Sequence, residues 1–161
     1  PVIAGGAEAW LVATELAAAK AAVVLDPLVN LPASFDALGA RLDNAARLQR
    51  AGVVVVFSMT GLAPHFAHKV RQSAGNAVAH GMPWDAALAG LTANPAAVFG
   101  LGASRGRIET GMVADLVLWN GDPLEVTSAA DQVWVGGKPM SMRSRQTELL
   151  DRYLPQAARQ P

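Results

Sequence analysis

Three short apolar runs limit the fold more than any other feature: Val2-Ile3-Ala4, Ala22-Val23-Val24-Leu25 and Val53 to Phe57. None alternates with polar residues, so each reads as a strand buried on both faces. Glu8 to Lys20 lies between the first two. It is Ala-rich, with Glu near its start and Lys at its end, as a helix dipole favours. Phe35 to Arg50 lies between the second and third, with Ser34 in N-cap position. Phe35, Leu38, Leu42, Ala45 and Leu48 recur there at three or four residues, which predicts a second helix that Gly52 stops. Alternating helices and continuous apolar strands predict an α/β fold. Residues 2–4, 22–25 and 53–57 are then parallel neighbours, with the helices at 8–20 and 35–50 on one face.

Each strand ends in a polar or Gly-rich loop on the same side: Gly5-Gly6, Asp26-Pro27 and Ser58-Met59-Thr60-Gly61. Parallel α/β proteins carry their chemistry on that side.

The middle of the chain is helical. His65 to Ala79 and Trp84 to Leu91 are split by His80-Gly81-Met82-Pro83, and a short helix follows Thr92-Ala93-Asn94. From Gly106 the pattern changes. Arg107-Ile108, Ala114 to Trp119 and Gln132 to Val135 are short strand candidates, with Asn120-Gly121, Pro123 and Gly136-Gly137 as turns. Arg143 to Leu154 is an amphipathic helix with Leu149, Leu150, Tyr153 and Leu154 on its apolar side. The organisation is therefore 1–104, 105–142 and 143–161.

Charge and composition exclude several classes. Thirteen basic and thirteen acidic side chains cancel, and without a like-charge run nothing points to nucleic acid or an anionic membrane. The chain is 52% hydrophobic, yet it has no uncharged apolar run of about 20 residues, the length that spans a bilayer. With no cysteine, disulfides and zinc–thiolate sites are excluded. So apolar a chain is expected to bury elements on two faces or to pack against another subunit, and a cytoplasmic location is expected. Pro1-Val2-Ile3 starts inside a structural element, which reads as a fragment or a processed piece.

Several strings together resemble a known family. Gly5-Gly-Ala-Glu-Ala-Trp10 opens the first helix. Residues 75–96 carry Gly-Asn-Ala-Val-Ala-His-Gly-Met-Pro-Trp and then Ala-Leu-Ala-Gly-Leu-Thr-Ala-Asn-Pro-Ala. Gly106-Arg-Ile-Glu-Thr-Gly-Met-Val-Ala-Asp-Leu-Val leads into Gly121-Asp-Pro-Leu-Glu125, and Arg145-Gln-Thr-Glu-Leu-Leu-Asp-Arg-Tyr153 closes the pattern. Nearly the whole chain resembles the C-terminal part of the amidohydrolase superfamily, on its imidazolonepropionase-like branch.

The resemblance implies the last part of a (β/α)₈ TIM barrel, with about three strands and their helices, plus the C-terminal strands of a small composite β-sandwich. A complete barrel takes roughly 200 residues or more, so a longer parent enzyme is implied. That parent would hydrolyse C–N bonds, amide or cyclic amide, in a small molecule or dipeptide-like substrate. This chain alone is expected to be inactive. The alternative is a catalytically degenerate relative that serves as a binding or assembly module. The implied partners are the missing N-terminal barrel half or further copies of the chain.

The family implies a divalent metal such as zinc. Of its ligand positions this chain covers a His after the sixth strand, where Gly5 stands, and an Asp after the eighth, where Ser58-Met59-Thr60 stand. No cofactor is therefore expected on this chain alone. The candidate substrate-binding residues are Glu8, Thr60, His65, His68 and Arg71. Glu8 follows the Gly5-Gly6 turn on the catalytic rim. His65 and His68 are spaced to share one helix face if a helix starts at Pro64, but no Asp or Glu lies within ten residues of them. Arg71 has the forked donors that bind a carboxylate. His80 reads as a helix C-terminal cation, Asp115 and Asp122 as structural, and the four tryptophans as packing residues.

Overall fold

The computed structural model describes residues 1–29, 32, 35–59 and 64–157. Strands β1 (Val2–Ala4), β2 (Ala22–Leu25) and β3 (Val54–Phe57) form one parallel sheet in the order β1-β2-β3. Val2, Ala22 and Val54 stand in one row, Ile3, Val23 and Val55 in the next, then Ala4, Val24 and Val56. Residues in a row point to the same face. Val23 and Val55 are fully buried under helices and share that core with Leu25 and Phe57. On the opposite face Val2 is 52% exposed and Val54 41%. An apolar inner face is thus partly open, as expected of strands that normally bury both sides.

The helical layer consists of α1 (Ala13–Ala18), α2 (Asn44–Arg50), α3 (Val70–Ala79), α4 (Trp84–Leu91) and α5 (Ala93–Val98). Ala45 and Leu48 of α2, Ala74 and Ala77 of α3 and Ala87 of α4 fill the core. Small residues dominate, so the helices lie close to the strands. A Cβ on Gly90 would stand 2.8 Å from the Phe57 ring. Helices α2 and α3 stop alike. Gly52 and Gly81 adopt φ of +86° and +95°, and the next residue returns a hydrogen bond to the last turn (Val53 N–H to Leu48 O, Met82 N–H to Ala77 O, both 3.0 Å). This is the left-handed helix stop that glycine allows at low cost.

Two expected helices are shorter than their periodicity suggested. The first begins as a 3₁₀ turn, Ala9–Val12, before α1, and the side chain of Asn44 accepts the Trp10 N–H in its first turn. The second does not run from 35 to 50. A 3₁₀ turn at Phe35–Ala37 is followed by a bend, and α2 starts only at Asn44. Phe35 is 92% exposed, Leu38 63% and Leu42 42%, so only the Ala45 and Leu48 end of the expected stripe is buried. The bend is fixed from outside. The Gly39 N–H is bonded to the Glu8 carboxylate, and the Gly39 carbonyl accepts the Trp10 indole N–H at 2.8 Å.

The second sheet holds β4 (Leu116–Trp119), β5 (Ala130–Val135) and β6 (Lys138–Pro139), all antiparallel. Arg107-Ile108 forms no strand. Ile108 is 91% exposed, and the neighbouring Gly106 packs tightly on Ala96 and Thr92 instead. The final helix, α6 (Arg145–Ala157), starts two residues later than expected. Its Leu149, Leu150, Tyr153 and Leu154 are all exposed. Among the described residues no helix is long and apolar enough to cross a membrane.

Candidate functional site

The parallel strands end within one residue of each other. Gly5 N–H reaches Val24 O at 2.9 Å, and Ser58 N–H reaches Leu25 O at 3.0 Å, which extends the pairing one residue past β1 and β3. In this register Gly5 stands level with Leu25 and Phe57, and Asp26 and Ser58 stand one residue further out on the C-terminal edge. Gly5 has φ +92° and open space where a Cβ would be. A side chain there would meet no steric barrier, only the unfavourable backbone conformation.

Asp26 is the buried carboxylate of this edge, 8% exposed. Its Oδ1 accepts the Leu28 N–H at 3.0 Å, and its carbonyl accepts the Val29 N–H at 3.0 Å, so the side chain stabilises its own turn. Sequence reasoning passed over Asp26 as a strand terminator. The signal was present: it is the only carboxylate directly following one of the three strands.

Glu8 lies in the loop after β1, half-buried, with Oε1 accepting the Gly39 N–H. It ties the loop after β1 to the loop after β2. Asn44, which sequence reasoning missed, does the same more completely. It is 5% exposed, and its amide donates to the carbonyls of Gly6 (2.9 Å) and Ala7 (3.2 Å) while Oδ1 accepts the Trp10 N–H (3.1 Å). No spacing rule marks such a residue, because its partners are backbone groups.

Next to it, Arg41 and Arg47 both stack on Trp10, at 5.2 and 5.0 Å from the ring centroid, and both bond to Asp43. The Arg41 hydrogen bond, helped by Arg47, holds the Asp43 carboxyl well below the usual carboxylate range against a smaller opposing effect of burial. An open groove of about 370 Å³ is lined by Trp10, Ala13, Arg47, Arg50 and Ala51. Its Arg50 and Ala51 lie where α2 turns into β3, at the opposite end of the strand from Ser58.

Thr60 lies outside the described residues, as does the side chain of His65. The backbones of His65 and His68 fall in one 3₁₀ turn, Pro64–Lys69, which leads into α3, and His68 is exposed. Arg71 is held by the stretch between β4 and β5. Its guanidinium donates to the carbonyls of Pro123 (3.0 Å), Glu125 (2.5 Å) and Ser128 (2.9 Å) and stacks on Trp119 at 4.9 Å. Asp115 accepts the Gly136 N–H at 2.7 Å and pairs with Arg105. Both carboxylate oxygens of Asp122 face the Trp84 indole N–H, at 3.0 and 2.9 Å.

Among the described residues no group of three His, Asp or Glu side chains converges as a metal site requires. After β1 and β3 the strand ends supply a glycine backbone, a hydroxyl and a thioether, and the one carboxylate of the edge, Asp26, is a single ligand engaged in its own turn. The described residues therefore do not fit a resident divalent metal by themselves.

A model described as the amidohydrolase family matches residues 51–140. Over 58 residues the chain is 47% identical to the amidohydrolase tasK of Hapsidospora irregularis, 36% of this chain and 6% of that protein. The crystal structure of an amidohydrolase from Thermotoga maritima MSB8 superposes with a TM-score of 0.78 at 30% identity, over 88% of this chain and 37% of the other. A zinc-bound adenosine deaminase from Xanthomonas campestris aligns with a TM-score of 0.62 at 20% identity, covering 98% of this chain and 42% of its own. The chain thus spans well under half the length of these relatives. The family match runs from the last strand of the parallel sheet, through α3–α5, to the end of the small sheet, and this chain belongs to the amidohydrolase family.

Proposed function

We propose that this chain forms the closing strands and small-sheet segment of a TIM-barrel amidohydrolase that hydrolyses a C–N bond, amide or cyclic amide, in a small or dipeptide-like substrate. The observation that supports this most is the common C-terminal edge of the three parallel strands, in a chain matched to this family. Substrate would meet that edge from the side of Gly5 and Ser58, with Glu8 in the loop after β1. Water-activating groups would come from elsewhere in the protein, since the strand ends here carry neither His nor a free carboxylate. The open inner face around Val2 and Val54 would be covered by the preceding barrel strands, with a second copy of this chain as the other candidate.

A second reading has its own support. Gly5 and Ser58-Met59 occupy positions where the resemblance implies metal ligands, which favours a degenerate relative that binds without hydrolysing. One experiment separates the two readings. Zinc content and hydrolysis of N-acyl amino acids, dipeptides and cyclic amides would be measured on the intact protein, with sedimentation of the 161-residue chain alongside. Stoichiometric metal and turnover by the intact protein support the hydrolase. Ligand binding with neither supports the degenerate relative. A chain that sediments as a lone monomer and binds no hydrophobic dye would refute the covered inner face.

A further inference from the structure

The inner face of the parallel sheet ends in a polar pair. Val23 and Leu25 of β2 and Val55 and Phe57 of β3 point into the helical core. Alternation then turns Val24 and Val56, and beyond them Asp26 and Ser58, to the opposite face. The hydrogen bond from Ser58 N–H to Leu25 O, at 3.0 Å, carries the ladder that far. Asp26 and Ser58 are therefore neighbours at the C-terminal end of the face left partly open around Val54.

The turn after β2 uses only part of the Asp26 carboxylate. The residue is 8% exposed, and the bonds from Leu28 N–H to Oδ1 and from Val29 N–H to its carbonyl fix its place. A carboxylate offers about four acceptor positions. Among the described residues Oδ2 accepts no hydrogen bond, and Asp26 joins none of the ion pairs. Enclosed charge of this kind is costly unless a donor or a cation meets it. Within four residues past each strand the charged side chains are Glu8 and Asp26, both acidic, and Glu8 is committed to Gly39. The first base after β2, Arg41, is paired with Asp43.

We propose that Asp26 is a specificity-determining residue. Its Oδ2, beside the Ser58 hydroxyl, receives the protonated amino group of an amine-bearing amide, such as a dipeptide with a free amino terminus. An ammonium supplies both the positive charge and the donors that this end of the sheet lacks. A substrate carboxylate in the same place would be repelled, and an N-acylated terminus would bring no charge. That the bound amine belongs to a substrate rests on the reading of this edge as the substrate side of an amidohydrolase. The acceptor pair itself is a feature of the fold.

Calorimetric binding and turnover on the intact protein test this, with a set of dipeptides bearing free amino termini and the same set N-acetylated. The parent is expected to bind the free set about tenfold or more tightly than the acetylated one, the scale of a hydrogen bond between charged groups. Asp26→Asn keeps an acceptor for the Leu28 N–H and so keeps the turn, but it removes the charge, and the preference should fall to about twofold or less. No preference in the parent, an unchanged preference in Asp26→Asn, or no binding of either set would each overturn the proposal. If Asp26→Asn melts below the parent in urea, Ser58→Ala decides instead: a loss of affinity for the free set alone supports the pair, and no loss overturns it. Amine preference in a protein that hydrolyses neither set would remove the hydrolase and leave the amine site. Hydrolysis of both sets without preference would remove the amine site and leave the hydrolase.

Discussion

A Cβ placed on Gly75 would stand 2.4 Å from the carbonyl oxygen of Leu124. The obstacle is backbone, not the end of a flexible side chain. In an exposed helix, Gly→Ala would gain about 1 kcal/mol of helix propensity. Here the overpacking, typically about 1–3 kcal/mol, is expected to dominate. Gly75→Ala should lower the urea midpoint, with the β4–β5 loop the first region to lose protection.

Two residues earlier on the same helix the sign reverses. Ser73 is fully buried, and its hydroxyl finds no partner among the described residues. Removing an unsatisfied polar atom recovers part of its desolvation cost, about 1–3 kcal/mol. Alanine is also the better helix former. Ser73→Ala should be neutral or more stable than the parent by roughly 1 kcal/mol, measured by denaturant melts on both proteins.

Asn44 holds two carbonyls and one N–H of the loop after β1. Asn44→Ala leaves them without that partner, at about 1–3 kcal/mol for each that stays buried and unpaired. Asn44→Asp is the sharper test. It keeps an acceptor for Trp10 but sets a carboxylate against two carbonyl oxygens, which raises its folded pKa above the unfolded value. The variant should therefore be least stable at neutral pH and recover as the pH falls and the carboxyl protonates. A melt that shows no recovery would rule out this arrangement.

The Asp43 carboxyl titrates in the opposite sense. Its folded pKa is depressed, chiefly by the Arg41 hydrogen bond. Its contribution is complete above the ordinary carboxylate value and is lost as the pH falls through the depressed one. The network is partly exposed, so the effect is modest and screened by salt. Asp43→Asn should melt slightly below the parent at pH 7, and the gap should close as acid is added.

How much of this was legible in the sequence depends on where each residue finds its partner. β1, β2 and β3 were readable, parallel and in order, because continuous apolar runs need burial that neighbouring strands and helices supply. Trp84–Leu91 was readable to the residue, because Pro83 and Thr92 bracket it. The span at 35–50 misled, because Phe35, Leu38 and Leu42 have helical spacing but no covering surface, while Glu8 and Trp10 hold Gly39 from far along the chain. Within the site, the place of Glu8 just past β1 was legible. The roles of Asn44 and Arg71 were not, because both bind backbone carbonyls that any sequence could present.

The Asn94 amide donates to the Val55 carbonyl at 2.8 Å. Ser58 bonds toward β2, so by alternation Val55 directs its backbone groups outward, to the free side of β3. A strand arriving at that side meets an oxygen with one lone pair already in use. Uncontrolled strand addition is the standing hazard of such an edge, and it is greater in a chain whose outer strands are this apolar. One side-chain amide from α5 therefore discriminates among newcomers. A segment whose register tolerates a shared acceptor at Val55 can extend the sheet, and an arbitrary copy of β3 stacking on itself meets a site that is already claimed.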